Sequence, residues 1–124
     1  EFNRLFPSID SSNPLKAAME AAKISGVSVL LKCAHSVIAD PLGRTWQIGQ
    51  VDSSVARIGL GDVLAGFIAG MGALEFAANE NWRTDLLAAS ALMHAYAGAS
   101  CSKGSNASSI CEFLSELAKR EKRL

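Results

Sequence analysis

The sequence predicts a helix-rich α/β domain, and three observations carry that reading. An alanine-rich helical stretch is followed by three short runs of strand length, and then by three more stretches with helical composition. The turn Asp40-Pro41-Leu42-Gly43 separates two of the short runs, as in a hairpin. At 124 residues and 49% hydrophobic, the chain holds enough apolar material for the core of one domain.

The elements follow in order. Asn13-Pro14 pairs a helix cap with proline at the first helical position, and Leu15 to Ile24 continue the helix until Gly26. Val27 to Leu31 reads as a short buried strand ending at Lys32. Ser36 to Ala39 and Thr45 to Ile48 form the predicted hairpin. Gln50 to Ile58 is polar and irregular, and a helix is expected from about Asp62 to Ala78. Asn79-Glu80-Asn81 breaks the pattern, and Thr84 is expected to cap a helix from about Asp85 to Ala97. Gly98 to Ser105 is a loop of small residues. The last helix, about Ser108 to Arg120, places Ile110, Cys111, Phe113, Leu114 and Leu117 on one stripe. Three strands are few for so many apolar helices. Val63, Leu64, Phe67, Ile68, Met71 and Leu74 fall on more than one face, so further sequence or another chain is expected to cover that helix.

Charge and cysteine usage exclude several classes. Twelve basic residues balance twelve acidic ones, leaving no net field to gather nucleic acid or an anionic membrane. The basic residues at 119–123 read as a solvated final turn. Cys33, Cys101 and Cys111 are odd in number and lack CxxC spacing, which points away from a disulfide framework or zinc site and toward a reducing cytoplasm. The longest uncharged apolar run, Val63 to Leu74, has 12 residues, short of the roughly 18 to 20 that span a bilayer. The chain opens on Glu1 and not on methionine, so its natural start is expected elsewhere.

Chemistry concentrates in Gly59-Leu60-Gly61-Asp62-Val63-Leu64-Ala65-Gly66. Free N–H groups at a helix start hold a phosphate, and glycines let the backbone approach it. A carboxylate beside those amides stays ionised and accepts a proton from a hydroxyl. Asp62 is thus a candidate base, set against a simpler role as a first-turn residue favoured by the helix dipole. Lys32, at a strand end, is placed as a ligand contact would be in an α/β sheet, or as a solvated lysine. Gly66 and Gly70 suggest close helix packing. His94, beside Met93 and Tyr96, reads as a core histidine before a ligand or base.

Several segments resemble one family in the same order. The chain is similar to the C-terminal half of the ADP/ATP-dependent NAD(P)H-hydrate dehydratases, members of the ribokinase-like superfamily. Glu1 to Phe6 is similar to the tail of the family's Pro-Gly-Glu-Phe-x-Arg-Leu segment. Val29 to Pro41 is similar to its strand and Lys-Gly-x-x-Thr-Val-Ile nucleotide loop. Gly59 to Gly66 resembles its Gly-Thr-Gly-Asp-Val-Leu-Ala-Gly anion-hole motif, and His94-Ala95-Tyr96-Ala97-Gly98 resembles its His-x-x-Ala-Gly.

The resemblance implies half of a three-layer α/β/α fold, with residues 1–124 as a single partial domain. It implies a lyase that restores hydrated NADH or NADPH, using ADP or ATP with Mg2+. Lys32, Cys33, Ala34, His35, Ser36 and Gly61 would contact the nucleotide. Gly59, Leu60 and Gly61 would form the anion hole, and Asp62 would face the hydrated ring as base. Cys33 stands for the family's glycine, His35 and Ser36 vary the loop, and Leu60 replaces a threonine or serine, leaving the amides of Gly61 and Asp62 as donors. The substrate-binding histidine of the family would fall before Glu1. The chain is therefore expected to need its missing N-terminal half, or to cover the exposed edge by self-association. Two other readings remain, a ribokinase-like vitamin or sugar kinase and an inactive nucleotide-binding or structural partner.

Overall fold

The computed structural model describes residues 1–49, 59–80, 82–101 and 105–121, and the predicted linker at 50–58 lies outside them. The chain divides into two compact units, Glu1–Gln50 and Val51–Leu124. The helix-rich α/β composition expected from the sequence is what these residues form.

In the first unit, a one-turn helix α1 (Phe2–Leu5) precedes α2 (Pro14–Ser25). The Asn13 side chain accepts the Lys16 N–H at 3.1 Å, a cap that contributes about 1 kcal/mol. Pro14 occupies the first turn, where its missing N–H leaves no bond unmade. Gly26 ends the helix at φ 71°, a left-handed turn that a side chain disfavours. Ala17, Ala18, Ala21 and Ala22 are all fully buried, and their small side chains bring the helix close to the sheet.

The sheet has the order β1 (Val29–Leu31), β2 (Val37–Ala39), β3 (Thr45–Gln47), antiparallel throughout. Leu30 pairs with Ile38, and Ile38 with Trp46. The predicted hairpin is β2 with β3. The first strand differs from expectation, because β1 is only half-buried while central β2 is buried at every position. Its direction has a simple cause. The link from β1 to β2 is residues 32–36, too short for the crossover that a parallel pair requires. Val37 and Ala39 pack with Ala18 and Ala22 on one side of the sheet, with Val29 and Leu31 beside them. On the other side of that alanine stripe, Ile9 joins Ala17 and Ala21, with Phe2 and Phe6 against them.

The second unit contains α3 (Leu60–Asn79), α4 (Thr84–Ser100) and α5 (Ala107–Glu121). Leu60, Ala97, Ile110 and Leu114 form its buried cluster, one or two residues from each helix. On α5, Ile110 and Leu114 are buried and Phe113 is half-buried, but Cys111 is exposed and stands off the expected stripe. Arg83 and not Thr84 occupies the cap position of α4; Thr84 is the first helical residue and is buried.

The third helix departs most from expectation. It starts two residues early and runs for 20 residues, long and apolar enough by length and composition to cross a membrane, with 17% of its apolar window buried. Length therefore does not exclude that environment for the whole helix. Gly66 and Gly70 are exposed, and apart from their chain neighbours and the backbone of their own helix turn no described atom lies within 4 Å of where a Cβ would stand on either, so among the described residues they do not pack as expected. Gly72 carries the close contact instead: the Trp82 ring occupies the space that a side chain there would fill.

Candidate active site

The glycine turn of the second unit is built around one backbone angle. Gly59 caps α3 at φ 86°, a left-handed conformation open to glycine. The first helical bond runs from Val63 N–H to the Gly59 carbonyl at 3.0 Å. The N–H groups of Leu60, Gly61 and Asp62 therefore have no partner within the helix, and they carry its positive end.

Helical rotation then sorts the side chains. Leu60 is 5% exposed, within the cluster of Ala97, Ile110 and Leu114, while Gly61 and Asp62 are exposed. The residue that replaces a hydroxyl in the family motif thus serves the core with its side chain and the turn only with its amide. A Cβ on Gly59 would lie 3.5 Å from the Ala107 Cβ, so the beginnings of α3 and α5 are neighbours. At the latter, the Asn106 side chain accepts the Ser109 N–H at 3.0 Å.

The Lys32 to Ser36 loop belongs to the first unit and is held by its own bonds. The Cys33 thiol donates to the His35 carbonyl at 3.0 Å, and the Ser36 hydroxyl donates to the Cys33 carbonyl at 3.3 Å. The Ile48 N–H donates to the Ser36 carbonyl at 2.9 Å, tying the loop to the end of β3. Lys32, Cys33, Ala34 and His35 are exposed, and Ser36 is half-buried. Lys32 follows the carboxyl end of β1 as expected, but in an antiparallel sheet. The loop and the glycine turn lie in different compact units. His94 is 6% exposed on α4, the core placement that its apolar surroundings implied.

Sequence reasoning missed Asp40, which lies 2% exposed in the hairpin turn. Burial pushes its carboxyl up, but hydrogen bonds from Arg44 and Leu42 outweigh this and hold it below the usual carboxylate range. Its position four residues before Arg44, across a Pro-Leu-Gly turn, was the available signal. Among the described residues, no three of His, Cys, Asp or Glu cluster to hold a metal, so these residues offer Mg2+ no cage of their own.

The α/β fold and a glycine turn opening an apolar helix with an acidic first turn define a class that the comparisons make specific. The family described as NAD(P)H-hydrate dehydratase matches residues 1–119, and the chain belongs to it. Its relatives include the "Bifunctional NAD(P)H-hydrate repair enzyme Nnr" of Synechocystis sp., 48% identical over 71 residues, and that of Gloeobacter violaceus, 43% identical over 68 residues. The matches cover 57% and 55% of this chain, but only 14% and 13% of those relatives' own length. No solved structure matches the chain.

Proposed function

We propose that this chain supplies the nucleotide and phosphate side of an NAD(P)H-hydrate dehydratase, with ADP or ATP as phosphoryl donor. The observation that carries the reading is the start of α3: Gly59 at φ 86°, three leading amides, and the exposed Asp62 carboxylate in the same turn. A bound nucleotide would supply the phosphoryl group, leaving shortened by one phosphate as the ring hydroxyl oxygen of the hydrated cofactor takes it up, and expulsion of that phosphate with loss of a proton from the adjacent ring carbon restores the double bond. The Asp62 carboxylate accepts the proton of that hydroxyl, and the amides of Gly61 and Asp62 hold negative charge on the phosphate. The amides of Gly59 and Leu60 complete the turn that aims them. Lys32, Cys33, Ala34, His35 and Ser36 form the nucleotide loop, with Lys32 as its cation. Mg2+ arrives with the nucleotide phosphates, and no step is assigned to it.

The same reading accounts for α3. Leu74 and Phe76 are 66% and 60% exposed on an almost charge-free helix, a surface that needs a cover. We assign that cover to the remainder of the same domain and not to lipid, since the family match runs through the whole helix. Residues 1–124 are then one half of a domain, in a reducing compartment that suits the free thiols of Cys33, Cys101 and Cys111.

The test supplies hydrated NADH with ADP or ATP and Mg2+ to the polypeptide that carries this segment together with the rest of its domain. Recovery of dihydronicotinamide absorbance with release of inorganic phosphate is expected. A phosphorylated product that persists would reassign the chain to the small-molecule kinases. No nucleotide binding at all would make it a structural partner.

A further inference from the structure

The second unit carries an apolar seam that the proposed chemistry does not use. On α4, Leu92 and Tyr96 stand one turn apart and are each 58% exposed, with exposed Ala89 and Ala99 continuing the same side of the helix. On α5, Phe113 and Leu117 repeat that spacing and are half-buried. The Tyr96 and Phe113 ring centroids lie 6.0 Å apart, which joins the two stripes into one surface. Each of α3, α4 and α5 touches the other two, so the outer seam of α4 and α5 faces away from α3. A cover on the outer face of α3 lies on the other side of this unit.

Beside the seam, Ser109, Glu112, Phe113, Glu116 and Leu117 line a groove of about 320 Å³. Lys119 of the same chain bonds Glu116 at 2.7 Å from an exposed position, a kind of pair that contributes little and exchanges readily. The groove suits a long cationic side chain, with its methylene stem on Phe113 and Leu117 and its charge between Glu112 and Glu116. The sequence of α5 itself offers one. Glu112, Glu116 and Lys119 are spaced by four and then three residues, so the acidic and basic positions share one side of the helix in that order. Turned end for end about Leu117, a second α5 brings its Lys119 opposite Glu112 and Glu116 and receives the first Lys119 in return. One two-fold contact then fills both grooves and closes both apolar seams.

We propose that the α4–α5 seam is the docking surface for a second copy of this chain, whose α5 lies antiparallel on the first with its Lys119 in the groove of Glu112 and Glu116. The proposal does not depend on the nucleotide reading, and either can fail alone.

Sedimentation velocity on the polypeptide that carries the complete domain should show mass rising with concentration between about 1 and 100 μM. Leu92→Glu puts a carboxylate on the seam from an exposed position, and should raise the dissociation constant at least about tenfold while moving Tm by less than about 2 °C. Glu116→Lys and Lys119→Glu each set like charges across the contact, so each variant alone should stay monomeric. Their equimolar mixture should associate, because neither copy then holds an internal pair between these positions and opposite charges meet only between copies. A mixture that stays monomeric, single variants that associate like wild type, or a wild-type polypeptide that is itself monomeric would each overturn the proposal. So would a Leu92→Glu variant that melts early with its mass unchanged, since the seam would then be covered from within the domain.

Discussion

Arg44 Nε donates to the Asp40 carboxylate at 2.6 Å across the turn that joins β2 to β3. The backbone N–H groups of Leu42 and Arg44 donate to its other oxygen at 3.0 and 2.9 Å. The pairing fixes the hairpin whose far end is bonded to the Lys32 to Ser36 loop through Ile48 and Ser36. Because the Asp40 carboxyl is held below its ordinary value of 3.8, its contribution to stability is complete above that pH and is lost as pH falls through the depressed value. Asp40→Asn should therefore lower the urea midpoint at pH 7, and the gap from wild type should shrink as pH drops well below 3.8. Urea melts of both proteins at pH 7 and pH 2.5 check this; a gap that widens in acid contradicts it.

Gly72 and Trp82 make the second prediction. A methyl group at Gly72 meets the Trp82 ring, and overpacking of this kind costs about 1–3 kcal/mol. Gly72→Ala should destabilise by that amount, and the penalty should largely vanish in a Trp82→Ala background. A double-mutant cycle in urea measures the coupling.

How much of this was legible in the sequence differs from element to element. Asn13-Pro14, Gly26 and the Asp40 to Gly43 turn announced α2 and the hairpin because caps and turns are local chemistry. The direction of β1 was also within reach, since residues 32–36 cannot make a parallel crossover. Packing was not legible: nothing local distinguishes Gly72, which admits a tryptophan ring, from Gly66 and Gly70, which face open space. The glycine motif was visible from its residue types, but the division of labour within it depends on where α3 begins. With Gly59 as the cap, Leu60 turns inward and Asp62 outward, whereas a helix starting at Asp62 leaves the direction of Leu60 open.

That inward turn gives a third prediction. Leu60→Thr restores the hydroxyl of the family motif, yet places it where Ala97, Ile110 and Leu114 pack. We expect a loss of about 2–4 kcal/mol in unfolding free energy and no gain in nucleotide affinity. Tighter binding by this variant in a calorimetric titration would show that the side chain reaches the phosphate.

Gly59→Ala tests the turn itself. Its φ of 86° makes any side chain strained by about 1–2 kcal/mol, while the added Cβ meets Ala107 only at ordinary contact distance. The expected result is a modest loss of stability together with a marked loss of phosphate affinity. Equal affinity in the variant would mean that the amides of this turn do not bind the anion.

On the proposed function, Asp62 does chemistry while the amides around it bind. This is tested most directly with Asp62→Asn in the polypeptide carrying the complete domain, by measuring nucleotide affinity and the rate of dihydronicotinamide recovery from hydrated NADH side by side. Affinity should stay within about threefold of wild type while turnover falls by about 10²-fold or more, the range supplied by a positioned base. Turnover within about twofold of wild type would contradict the account.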